Sequence, residues 1–145
     1  MREIFDLLAY EIEYLKKLKM AVGDLNGHIH GLTVKMSLIY LSKKHPKVKK
    51  WSVCEKYSSG RDVVGNDEKG KIVVAAEIKT TYRAVKETLG STQRKTILKD
   101  IHNLSDSGAR YQYLFVIDNK NKEAIKTILK NACCPSVKLM NIFDV

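Results

Sequence analysis

Along residues 2–20 apolar positions recur at helical spacing, with Ile4, Leu8, Leu15 and Leu18 on one stripe. That pattern predicts an amphipathic helix. Residues 21–31 hold Gly23, Asn26, Gly27 and Gly31 and read as a loop. A second helix is expected over 32–44, before Pro46. Its apolar residues go most of the way round, as in a helix covered on more than one side. Three strand candidates follow: Lys50–Glu55, Arg61–Gly65 and the β-rich Lys71–Thr80. The turn-rich segment Asn66-Asp67-Glu68-Lys69-Gly70 joins the last two as a hairpin. Ile72, Val74, Ala76 and Ile78 alternate with the polar side of the last strand and are expected in the core.

Ser91 is placed to cap a helix running to Leu104, with Ile97, Leu98, Ile101 and Leu104 inward and Lys95, Lys99 and His102 outward. The run Tyr111–Ile117 is nearly all apolar, as in a strand buried on both faces. A helix over 120–132 and a short strand over Ser136–Ile142 complete the order α-α-β-β-β-α-β-α-β. This is a mixed α/β domain in which an antiparallel hairpin leads into parallel crossovers. Residues 1–145 form one domain, with the N-terminal helix expected to pack on the α/β core.

Charge narrows the function. The chain carries 26 Lys and Arg against 16 Asp and Glu, a net charge of +10. A small protein this basic attracts polyanions, nucleic acid first among them. No stretch reaches the ~20 apolar residues a membrane span needs, and the N-terminus has no secretory-signal pattern. The three cysteines, two of them adjacent, make neither a disulfide framework nor a zinc spacing, so a reducing, cytoplasmic setting is expected.

The chemistry concentrates on the hairpin. Gly60-Arg61-Asp62-Val63-Val64 is followed, beyond the tip, by Glu77-Ile78-Lys79. Strand alternation sends Glu77 and Lys79 to one face, and Asp62 joins them if the hairpin register is right. Two carboxylates together resist ionising. A divalent cation relieves them, and magnesium accepts two carboxylates, a backbone carbonyl (that of Ile78) and several waters.

This pattern resembles the PD-(D/E)xK, restriction-endonuclease-like superfamily of nucleases, over roughly residues 30–132, with Arg61 in place of the signature's proline. The resemblance implies a restriction-endonuclease-like mixed sheet flanked by helices. It implies Asp62 and Glu77 as metal ligands and Lys79 beside the attacking water, with Mg²⁺ as cofactor and Mn²⁺ able to substitute. It implies hydrolysis of DNA to a 5′-phosphate and a 3′-hydroxyl. Family members often add an acid from an early helix. Glu11 is the first candidate here and Glu55 the other. Gln93 stands where some relatives carry a glutamine near the water. Arg61, Thr80, Arg83, Arg94, Lys95 and Lys99 are candidates for gripping the DNA.

His28 and His30, two apart beside glycines, read as ordinary loop residues because no third ligand is evident nearby. Restriction is the first expectation for the biology and a Holliday-junction resolvase or repair nuclease the second. A homodimer is expected, since one site cuts one strand. The alternatives are a non-catalytic DNA-binding module on the same fold and a basic RNA- or ribosome-binding protein.

Overall fold

A computed structural model describes residues 2–54, 61–80 and 89–145; the side chains of residues 2–6 and 8 are outside that description. The chain is a mixed α/β protein built on a five-stranded sheet in the order β1-β2-β3-β4-β5. Helix α1 spans Arg2–Lys44. Strands β1 (Lys50–Val53), β2 (Val63–Asn66) and β3 (Ile72–Lys79) follow. Then come α2 (Ser91–Ser105), β4 (Tyr111–Val116), α3 (Asn119–Asn131) and β5 (Val137–Asn141). β1, β2 and β3 are antiparallel neighbours, whereas β3, β4 and β5 run parallel. Parallel neighbours need crossovers, and α2 and α3 supply them.

The sheet has two covered faces. On one, Val74, Ala76, Ile78, Tyr113 and Phe115 pack with Val34 and Leu41 of α1. On the other, Ala75, Leu114 and Val116 pack with Ile97, Ile101 and Leu104 of α2 and Ile125 of α3. β4 is therefore buried on both sides, as its apolar run predicts. Asp118 caps α3 by accepting a 2.7 Å hydrogen bond from the backbone of Lys120.

Several expectations are corrected. Leu98, expected inward on α2, is exposed, and the stretch 32–44 is covered on one side only, with Leu32, Met36 and Ile39 exposed. Residues 21–31 are not a loop, because α1 runs unbroken through them for 43 residues, about 65 Å. Each glycine weakens a helix by about 1 kcal/mol relative to alanine, but the apolar spacing on either side continues in phase. Nor does the N-terminal part pack on the core: residues 9–26 are exposed throughout. Ser91 does not cap α2, whose N-cap is Gly90 without a side-chain bond. Finally, Ile72 packs with the α2 side rather than beside Val74. The register shifts there: Gly65 pairs with Val74 but Asn66 with Ile72, so Val73 is the extra residue of a bulge. An inserted residue reverses the facing of those beyond it.

Candidate active site

Alternation along β3 puts Glu77 and Lys79 on the same face as Ala75, toward α2. Val63 pairs with Ala76 across the hairpin, so Asp62, one residue earlier, is carried to the level of Glu77. The position is fixed by a backbone bond: Ile78 N–H donates to Asp62 Oδ2 at 2.7 Å. Lys79 Nζ donates to Glu77 Oε1 at 3.1 Å and forms an ion pair with Asp100 Oδ2 of α2 at 2.5 Å. From the opposite side of the sheet, His30 Nε2 of α1 comes within 3.3 Å of Asp62 Oδ1. The hairpin, α1 and α2 thus each send a side chain to one end of β3.

These groups are largely withdrawn from water. The side chains of Asp62, Glu77, Lys79 and Asp100 retain 15%, 14%, 19% and 16% of their exposure. Burial, followed by the neighbouring charge of Asp62, pushes the Glu77 carboxyl up to about 7, against the opposing pull of Lys79. Burial works to deprotonate Lys79, but Glu77 and Asp100 outweigh it, and its pKa stays above the ordinary lysine value. The contact with Asp62 raises His30 above the usual histidine range, with burial opposing it.

The charge count is uneven. Asp62, Glu77 and Asp100 share one ammonium, Lys79, and one partly exposed imidazole, His30. Burial is the first cause of the raised Glu77 pKa, and the charges of Asp62 and then Asp100 add to it. A small hard cation would remove it. Among the described residues no three His, Cys, Asp or Glu side chains converge as a complete metal cage. The donor set fits magnesium nonetheless: carboxylates of Asp62 and Glu77 with the Ile78 carbonyl, the remaining positions left to water.

Other predicted residues lie elsewhere or in other roles. Glu11 is exposed on α1. It sits nineteen residues before His30 on that helix, about 28 Å along its axis, so it is not brought to the site. Gln93, Arg94, Lys95 and Lys99 are exposed on α2. Arg61 is half-buried and donates from Nη2 to the Asn103 carbonyl at 3.1 Å, tying the segment before β2 to α2. Thr80 is half-buried directly after β3. Arg83 and Glu55 lie outside the described residues.

Two site residues were not assigned from sequence. His30 falls in a stretch whose glycines predict a loop; a continuous helix is what aims it at Asp62. His28, two positions away and so on another side of a helix, turns to its own helix, with Nδ1 2.8 Å from the Asp24 carbonyl. Asp100 did leave a signal: it falls between Ile97, Ile101 and Leu104 on the inward face of α2. A carboxylate there needs a partner.

Compared with known proteins, the chain matches no family model, no curated protein and no solved structure. No helix among the described residues is long and apolar enough to cross a membrane.

Proposed function

We propose that the chain is a metal-dependent nuclease on a restriction-endonuclease-like fold, hydrolysing phosphodiester bonds in DNA. The observation that carries this reading is the convergence of Asp62, Glu77 and Lys79 at one end of β3, in the register the hairpin imposes. A net charge of +10 supplies the long-range attraction to a polyanion.

The roles follow from the contacts. Asp62, pinned by the Ile78 N–H, and Glu77 present carboxylate oxygens together. Magnesium bound there would acidify a water and offset charge on the phosphate. Lys79, held between Glu77 and Asp100, remains an ammonium and acts as a hydrogen-bond donor rather than a base. It orients the attacking oxygen and stabilises charge growing on the phosphoryl oxygens. Water adds to phosphorus, the P–O3′ bond breaks and the departing 3′ oxygen takes up a proton, leaving a 5′-phosphate. Arg94, Lys95 and Lys99, exposed on α2, grip flanking phosphates.

The test is incubation with plasmid, linear duplex and four-way-junction DNA in Mg²⁺, beside Lys79→Ala and Asp62→Asn. Magnesium-dependent cutting that both substitutions abolish supports the proposal. Intact DNA with salt-sensitive binding would point instead to a non-catalytic DNA-binding module. The preferred substrate separates a restriction-type enzyme from a resolvase.

A further inference from the structure

From Leu15 to Ile39, α1 carries apolar residues at alternating spacings of three and four: Leu15-Leu18, Val22-Leu25, Ile29-Leu32 and Met36-Ile39. A repeat of seven is not the 3.6-residue rhythm of a helix laid on a sheet. It is the seam of a left-handed coiled coil, and its natural partner is another helix. The seam is open at seven of its eight positions, Ile29 being half-buried: Leu15 is 59% exposed, Leu25 58%, Leu32 62% and Ile39 57%. It is also distinct from the stripe that α1 uses on its own sheet, which includes Thr33, Val34, Ser37 and Leu41, all buried. The inner faces of α2 and α3 are already committed to the opposite side of the sheet. A projecting helix with no tertiary packing is marginal in water, so α1 itself calls for a cover.

We infer that this seam pairs antiparallel with the same seam of a second copy of the chain. The argument for a second copy is self-complementarity. Four of the five acidic residues of α1 lie early (Glu3, Asp6, Glu11 and Glu13, with Asp24 the fifth); Lys16, Lys17 and Lys19 follow them, and beyond Asp24 the charged residues are all basic, Lys35, Lys43 and Lys44. Continued upstream, the repeat puts Glu11 on the seam. A parallel pair in register would oppose the two Glu11 carboxylates. An antiparallel pair centred between Val22 and Leu25 aligns Glu11 with Met36 and sets it beside Lys35 of the second copy. Every contact is then made twice about one twofold axis, as a closed dimer requires. The inference stands on α1 alone and does not rest on the nuclease reading.

Light scattering on the full chain at micromolar concentration tests it, with an expected mass of twice the 16.5 kDa of one chain. Leu18→Lys with Leu25→Lys should weaken the dimer by at least about a hundredfold. Met20→Lys, equally apolar and 71% exposed but off the seam, should leave it intact. For orientation, Leu15→Cys and Leu32→Cys chains are oxidised separately and mixed, beside the native protein. Cross-linking chiefly in the mixture supports the antiparallel pair. A monomeric native protein, a dimer broken by Met20→Lys but not by the seam pair, or stronger cross-linking of Leu15→Cys alone would each overturn the inference.

Discussion

Lys79 Nζ lies 2.5 Å from Asp100 Oδ2, tying the end of β3 to the middle of α2. The same ammonium reaches Glu77 Oε1 at 3.1 Å, so Asp100 helps to set which way Lys79 points. Asp100→Asn keeps the shape and removes the charge. The expected result is a kcat reduced about 10- to 100-fold, with little change in the KM for DNA. Steady-state kinetics on a protein shown by circular dichroism to be folded checks it. An unchanged kcat would remove Asp100 from the positioning of Lys79.

His30 brings α1 to Asp62 Oδ1 at 3.3 Å, while Oδ2 stays on the Ile78 N–H. Losing one of these two holds should loosen the carboxylate rather than release it. His30→Gln is expected to raise the Mg²⁺ concentration for half-maximal cleavage about tenfold, a milder defect than Asp62→Asn. Titrating Mg²⁺ in cleavage assays measures both; equal metal requirements in His30→Gln and the native protein would contradict the role.

His45, after α1, hydrogen-bonds Tyr113 at 2.9 Å and stacks at a tilt on Tyr111. Burial first, then Lys44 and Lys138, lowers its pKa. The unfolded chain takes up a proton near the ordinary histidine value, about 6.5; the folded chain does so only at lower pH. The folded state therefore binds fewer protons in that window, and its stability falls as pH drops through it. His45→Gln cannot titrate. Urea midpoints at pH 7.5 and 5.5 should show the native protein losing more stability on acidification than the variant. Parallel losses would refute the assignment to His45.

Gly65 in β2 is a site of close approach. A Cβ there would lie 2.8 Å from Val48 Cγ1 and 2.9 Å from the Trp51 ring. Neither neighbour can withdraw cheaply, since Val48 is buried and Trp51 packs on the same cluster. Gly65→Ala is expected to destabilise the fold by about 1–3 kcal/mol. Equilibrium unfolding reads this directly, and a neutral variant would mean that the β1–β2 edge yields.

Gly23 in α1 is the reverse case, because nothing lies within 4 Å of its missing Cβ. It is off the heptad seam, so alanine there should only favour the helix. Gly23→Ala is expected to add about 0.5–1 kcal/mol, seen as higher helicity and a higher melting temperature. A loss of helicity would show that this position needs a glycine.

Local pattern made much of this molecule legible. Strand alternation and the turn at residues 66–70 give the hairpin within two residues at each end, and the buried run from Tyr111 predicts β4. Asp62, Glu77 and Lys79 are readable together because a hairpin and a two-residue period are short-range facts. The bulge at Val73 is not readable, since which strand carries the extra residue depends on pairing across the sheet.

What the amino-acid order settled by itself was the set of strands, the two crossover helices and the acid-acid-lysine pattern of the hairpin, because backbone periodicity and turn chemistry act over a few residues. Only the tertiary structure decided that His30 and Asp100 close on the hairpin from opposite layers, and that a heptad seam is left facing outward. Those outcomes depend on which surfaces meet across long stretches of chain, and a lone histidine on α1 or a lone carboxylate on α2 carries no record of its distant neighbour.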